Sequence, residues 1–331
     1  MVRICNQDPL ILNLELPMNN IAPGYTYFVV SGEEVLVIDP PIYKPRFIAQ
    51  YREAVGELAR GKKVSVFFTQ THGELAKRRP VLPETDGAIY MTRGEYEDLS
   101  THHRSSYKKT RFKKEGFPAE EIDALFSKKP EKPEECGQKI CFVKDGMMIS
   151  VGDLTLECII TPGPSKEHCC LYLEESRILF SGALLPAQGL PDADIWNDKR
   201  SSLDALLGSL ETLRERKVDC VFPFYGESFT DCTKRIDEII AQYYMRLVEM
   251  YQLVHDSPGK SAYELSRQFG HRKGRNEHIA VKNRWFAMKA SLACLTMLRS
   301  NRYVSARRGE SCLMNYPGTT RFADVIGDHI N

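Results

Sequence analysis

From Tyr25 onward the apolar positions fall into short continuous runs and longer periodic stretches. Tyr25 to Val30 (Y-T-Y-F-V-V) and Val35 to Ile38 (V-L-V-I) flank S-G-E-E, which predicts an antiparallel hairpin closed by turn chemistry. Phe47, Ile48, Tyr51, Val55 and Leu58 recur at helical spacing and predict a helix from Pro45 to Arg60. Val64 to Leu75 then reads V-S-V-F-F-T-Q-T-H-G-E-L, a buried strand that stops at a cluster of polar side chains, the sort of strand end that commonly carries function. A short strand follows at Ala88 to Met91. Between residues 94 and 145 the pattern loosens into charged, mostly helical sequence, an insertion.

Strand patterning returns at Met147 to Val151, Leu154 to Ile160, Cys169 to Leu173 and Ile178 to Ser181. A helix from Ser202 to Lys217 carries one stripe, Leu203, Leu206, Leu207, Leu210 and Leu213, and a strand follows at Asp219 to Phe222. The second half thus repeats the plan of the first. Two such units set back to back predict an α+β fold, a four-layer αββα sandwich with sheets inside and helices outside. A long helix, Thr230 to His255, leads away to a linker at Asp256 to Lys260. Helices at Ala262 to Phe269 and Ala280 to Arg299 and a strand-like tail at Tyr303 to Arg307 predict a small winged-helix-like appendage. The expected division is 1–229 for the sandwich and 230–331 for the long helix and appendage.

Lysine plus arginine (45) almost balance aspartate plus glutamate (44), so no global field points to nucleic acid or a membrane surface. No run approaches the roughly 20 apolar residues of a membrane span, and the first residues lack a signal-peptide core. Ten cysteines, without a C-x-x-C pair, read as packed, reduced thiols of a cytoplasmic protein. Charge is concentrated locally. Arg104 to Lys114 holds six basic residues and no acid, and Arg267 to Lys289 holds seven with one acid, Glu277. Arg104, Lys108, Lys109, Arg272 and Lys273 are therefore candidates to clamp an anion, although basic runs are more often solvated helix faces.

Four segments fall in a telling order: F-F-T-Q-T-H-G-E-L at Phe67 to Leu75, T-P-G-P-S-K-E-H at Thr161 to His168, F-S-G-A-L-L at Phe180 to Leu185, and F-P-F-Y-G-E at Phe222 to Glu227. Together with the upstream hairpin they resemble the metallo-β-lactamase superfamily over about residues 20–226, and the C-terminal portion resembles the winged-helix extension of one of its branches. The resemblance implies a hydrolase fold in which two zinc ions hold and acidify a bridging water. Carried over position by position, the T-H-x-H-x-D-H ligands become Gln70, His72, Glu74 and Leu75. The histidine of P-G-H becomes Pro164, the bridging aspartate becomes Ala183, and the last histidine becomes Tyr225. Only His72 survives unchanged, so no metal and no cofactor are expected.

A remnant catalytic set can be assembled from His72, Glu74 and His168, with Gln70, Ser165 and Tyr225 as substrate contacts, although a histidine beside a buried strand is more often a hydrogen-bonded structural residue. No G-x-S-x-G elbow supports a nucleophilic serine, and the H-x-E pair lacks the P-C-x-x-C partner of a deaminase. Three readings follow. The first is a binding or regulatory protein with a degenerate metal site, a pseudoenzyme. The second is a divergent hydrolase of a thioester, ester or other anionic small molecule. The third is a nucleic-acid-binding module using the basic C-terminal helix, the least favoured of the three. In related zinc enzymes the extension is a cleft wall or a dimer contact, which implies an anionic small molecule or acyl-carrier as partner, and a homodimer.

Overall fold

Two β-sheets lie face to face in the computed structural model, which describes residues 2–3, 9–18, 22–71, 81–83, 85–100, 103–126, 139–196, 201–270, 280–320 and 322. The first sheet is built from β1 (Val2–Arg3), β2 (Leu10–Leu16), β3 (Gly24–Ser31) and β4 (Glu34–Ile38), then, after helix α1 (Pro45–Leu58), β5 (Lys63–Phe67) and β6 (Ala88–Met91). The inserted helices α2 (Arg93–Ser100), α3 (His103–Lys114) and α4 (Ala119–Leu125) precede its last strand, β7 (Lys139–Phe142). Strand order follows chain order; β1 to β4 pair antiparallel and β4 to β7 parallel.

The second sheet holds β8 (Met148–Val151), β9 (Leu154–Ile160), β10 (Cys169–Leu173) and β11 (Ile178–Gly182), and, beyond helix α5 (Ser202–Arg214), β12 (Cys220–Pro223). Its order is β12-β11-β10-β9-β8, with only β11 and β12 parallel. Then come α6 (Cys232–Asp256), β13 (Lys260–Ser261), α7 (Ala262–Ser266), α8 (Val281–Ser300), β14 (Val304–Arg308) and β15 (Leu313–Pro317), the last strands forming a small sheet in the order β13-β15-β14.

Burial separates the layers. Tyr27, Val29, Leu36, Ile38 and Phe67 of the first sheet meet Leu156, Cys158, Leu171, Phe180 and Phe222 of the second in one apolar cluster. Phe28, Val35, Val37 and Val66 point the other way, onto Tyr51 and Ala54 of α1. Cys170, Leu179 and Val221 face Leu203, Leu206 and Leu210 of α5, and that cluster continues through Ile236, Tyr243 and Leu247 of α6 to Trp285 and Leu292 of α8. Alternate residues of each strand therefore serve two different interfaces, as the period of two requires, and the result is the αββα sandwich with a C-terminal helical region.

Helix ends follow their local chemistry. Pro45 opens α1. Ser201 caps α5 by accepting from the Asp204 N–H, and Ser261 with Glu264 forms a capping box on α7.

Five strands, β1, β2, β7, β13 and β15, lie outside the sequence expectation. β2 carries an alternating L-I-L-N-L-E-L pattern, and its pairing with β3 buries Ile11 and Leu16. β7 is half-buried and sits at the sheet edge among charged residues, so no periodicity announces it; its pairing with β6 is long-range.

The insertion and the C-terminal region pack directly on one another. The Phe112 and Trp285 rings stack with centroids 3.7 Å apart. Arg299 grips Glu115 through both guanidinium nitrogens (2.6 and 2.9 Å), Arg111 adds a contact at 2.9 Å, and Arg284 pairs with Glu121 at 2.7 Å. Part of each basic run is thus engaged within the fold, while Lys113, Lys114, Arg267 and Lys282 are exposed. Lys108 is buried against Asp194 at 2.5 Å, and Lys109 lies over the Phe126 ring. On α8, Arg284, Lys289 and Arg299 are all engaged in ion pairs, and Lys282 is exposed. Among the described residues no helix is long and apolar enough to cross a membrane.

Candidate functional site

The strand ends of both sheets converge where the sequence drew attention. Asp39 leaves β4, Phe68 to Thr71 leave β5, His168 enters β10, Ala183 leaves β11, and Phe224 and Tyr225 leave β12. Backbone bonds stitch these ends together: Asp39 N–H to the Phe67 carbonyl (2.8 Å), Cys169 N–H to Thr69 (3.0 Å), Phe224 N–H to Gly182 (2.7 Å) and Tyr25 N–H to Phe224 (2.9 Å).

Asp39 is buried and left-handed, with φ 53°, a conformation that costs a non-glycine residue energy unless its surroundings hold it. Thr69 does the holding: its N–H donates to Oδ1 (2.8 Å) and its hydroxyl to Oδ2 (2.7 Å). The Thr26 hydroxyl donates to the Asp39 carbonyl at 2.8 Å. Burial pushes the Asp39 carboxyl up to about 7, against the pull of the two Thr69 hydrogen bonds and with help from the Glu95 charge. Glu95 does for Thr71 what Asp39 does for Thr69, accepting from its N–H and hydroxyl, both at 2.7 Å. Two buried carboxylates thus fix the ends of the T-Q-T segment and leave Gln70 between them.

His168 is fully buried. The Ala183 N–H lies 3.3 Å from Nε2 and can only donate, so Nε2 accepts; Nδ1 then carries the proton and donates to the Thr161 hydroxyl at 2.8 Å. That hydroxyl in turn reaches the Cys170 sulfur at 3.2 Å. Both ring nitrogens are occupied within the fold. Gly182 makes the arrangement fit: its φ is +52°, and a Cβ there would come within 2.4 Å of Thr69 Oγ1 and 2.6 Å of His168 Nε2.

The T-P-G loop rests on α5. A Cβ on Gly163 would lie 2.7 Å from the Leu206 Cα, and the Ser209 hydroxyl donates to the Pro162 carbonyl at 2.8 Å. Ser165 is buried, and its hydroxyl has no hydrogen-bond partner among the described residues. Glu167 accepts from the Gly94 N–H at 2.7 Å, tying this loop to α2. Tyr225 is half-buried; burial first, then the charges of Asp192 and Asp39, push its phenol up to about 12, with Lys289 pulling the other way.

Zinc needs anionic or imidazole donors. At the superfamily's ligand positions that the structure describes, Pro164 and Ala183 offer none, Gln70 offers a neutral amide, and Tyr225 offers a phenol protonated at neutral pH. Asp39 has both oxygens engaged by Thr69, and the His168 nitrogens are taken. These donors do not fit a dinuclear centre. Among the described residues no three His, Cys, Asp or Glu side chains are grouped as a metal site requires.

Of the sequence candidates, Gln70, Ser165, His168 and Tyr225 stand on the converging loops, His168 and Ser165 buried and Gln70 and Tyr225 half-buried. His72, Glu74, Leu75, Arg272 and Lys273 lie outside the described residues, as does the Arg104 side chain. Sequence reasoning passed over Asp39, Thr161, Glu95, Asp192 and Lys289 as site residues. Asp39 carried a signal, an acid closing an apolar strand. The others acquire their roles through partners far along the chain.

Comparison with known proteins agrees with this architecture. A family model described as the Metallo-beta-lactamase superfamily matches residues 101–225. The Beta-lactamase-like protein 2 homolog of Caenorhabditis elegans is 24% identical over 144 residues, 44% of this chain and 46% of the relative. An Atrochrysone carboxyl ACP thioesterase of Aspergillus chevalieri is 23% identical over 237 residues, 72% of this chain and 62% of the relative. The matches therefore span from under half to three-fifths of these relatives' lengths. A crystal structure of a metallo-beta-lactamase family protein from Thermus thermophilus superposes with a TM-score of 0.71 at 20% identity, covering 93% of this chain and 98% of that one. The family model, the relatives and the sandwich agree in the likeness they show: the chain is similar to the metallo-β-lactamase superfamily and has its fold.

Proposed function

We propose that this chain acts by binding a small anionic ligand in the strand-end cleft, as a binding or regulatory protein, and that it does not carry out zinc-dependent hydrolysis. One observation carries the reading. At the position of the superfamily's bridging aspartate, Ala183 turns its backbone N–H onto His168, whose second nitrogen is held by Thr161. A carboxylate that would face two metal ions is replaced by a methyl group, and the His168 imidazole is committed to the fold. Removing zinc while keeping its carboxylates would leave uncompensated charge in a partly buried site, at several kcal/mol per ion; Ala183 and Pro164 avoid that cost.

Elemental analysis of protein purified without chelator tests this directly. Far less than one zinc, iron or manganese per chain is expected, together with no hydrolysis of acyl thioesters whether or not zinc is added. The second reading, a divergent hydrolase, is favoured by the 237-residue match to a protein named as an acyl-carrier thioesterase. Near-stoichiometric metal lost on His72→Ala or Glu74→Ala, with thioester hydrolysis lost in parallel, would replace the first reading with the second.

A further inference from the structure

Lys289 lies in the middle of α8 with its side chain only 6% exposed, Nζ 3.3 Å from Asp192 Oδ2 and 5.5 Å from the Phe286 ring centre. Asp192 is its opposite, with a side chain 61% exposed. The segment that carries Asp192 is pinned on both sides. The Tyr243 hydroxyl donates to the Pro191 carbonyl, Arg235 donates to the Pro186 and Gly189 carbonyls, and the Asp194 N–H donates to the Gly163 carbonyl (3.0 Å) while its carboxylate meets Lys108. The Asp192 side chain reaches out from this anchored stretch. Tyr225, at the position of the superfamily's last metal-binding histidine, is tied to the same stretch through its carbonyl, which accepts from the Ala187 N–H at 2.9 Å, and the Lys289 and Asp192 charges both act on its phenol. A helix appended to the sandwich therefore brings an ammonium to the region where the metal donors are missing.

A buried ammonium requires an anion. Here the anion is a carboxylate that can swing into water, and the 3.3 Å contact is longer than the 2.7–2.9 Å of a strong charge-assisted hydrogen bond. One ammonium beside one neutral phenol matches a single negative charge; a phosphate dianion would call for more donors. We propose that Lys289 and the Tyr225 hydroxyl anchor the carboxylate of a small organic acid, with Asp192 as the resident carboxylate that the ligand displaces. This rests on the binding role proposed above and names the chemistry of its ligand.

Sodium butyrate titrated into the full chain, followed by calorimetry, tests the anchor. Asp192→Asn is expected to bind butyrate about tenfold more tightly than the wild type, because no internal carboxylate competes. Lys289→Met is expected to abolish binding, and Tyr225→Phe to weaken it about threefold, the loss of one neutral hydrogen bond. Unchanged affinity in Asp192→Asn overturns the proposal, as does unchanged affinity in Lys289→Met. Asp192→Asn alters an exposed side chain, so it keeps the test valid even if Lys289→Met fails to fold. Inorganic phosphate binding as tightly as butyrate would overturn the carboxylate assignment. Repeating the titration after chelator treatment separates the two levels: binding that disappears with chelator and returns with zinc refutes the metal-free reading, whereas binding indifferent both to chelator and to Lys289→Met refutes the anchor alone.

Discussion

Between α3 and α8, Glu115 is completely buried in an ion-pair cluster, where Arg299 meets both its oxygens and Arg111 adds a third contact. At the strand-end cleft, Ala183 and Pro164 stand where the superfamily keeps a carboxylate and an imidazole, and they carry no charge. The two regions obey one rule. Buried charge persists where every lone pair has a partner supplied by the fold, and it has gone where the described donors no longer suit a metal. Asp39 and Glu95 sit between these cases, as carboxylates each held by a threonine that donates through both its N–H and its hydroxyl.

The largest expected effect breaks the charged side of this contrast. Glu115→Ala strands Arg111 and Arg299 in the interior and should destabilise the protein by about 3–5 kcal/mol in urea unfolding. An effect under 1 kcal/mol would mean that the two arginines find other partners. The converse change, Ala183→Asp, restores a carboxylate to a site with few donors; a loss of about 3 kcal/mol is expected, with no gain of bound zinc on elemental analysis. Zinc uptake by that single variant would show the remaining donors to be better than their chemistry suggests.

Thr161→Val removes the acceptor for His168 Nδ1–H and leaves a buried donor unpaired, at about 1–3 kcal/mol by thermal or urea unfolding. The smallest effect is a slope. Asp39 has its folded-state carboxyl raised from the ordinary 3.8 to about 7. Between those values the folded state holds a proton that the unfolded chain has released, so the Asp39 contribution to stability is full below about 4 and is lost as pH rises to about 7. The slope should reach about 1.4 kcal/mol per pH unit at most, and Asp39→Asn should flatten it. A wild-type stability that rises with pH over this window, unaltered in Asp39→Asn, would deny Asp39 that role.

The sandwich was legible because its strands declare themselves. Cys169–Leu173 and Ile178–Gly182 are buried on both faces and read as unbroken apolar runs. The leucine stripe of α5 marked that helix in the same local way. What the sequence hid depends on distant pairing. β7 is a strand because β6 offers it an edge, and Arg284, Lys289 and Arg299 look like a solvated basic face until Glu121, Asp192 and Glu115 are brought to them. The cleft was half legible. Lost ligands can be counted from residue types, but the tautomer of His168 follows from Ala183 and Thr161 lying on either side of its ring, which no spacing reveals.

The grip of Arg299 on Glu115 joins residues 184 positions apart. At the roughly 5–20 residues per second of protein synthesis, Glu115 leaves the ribosome about 10–40 s before its principal partner. Arg111, one helical turn away, is made before it and is the only one of its two cations available in that interval. α3 must therefore wait with its acid half-paired and Phe112 without the Trp285 ring, so the seam between the insertion and the C-terminal helices is among the last parts of the molecule to close, and a nascent chain is most open there to chaperones and proteases.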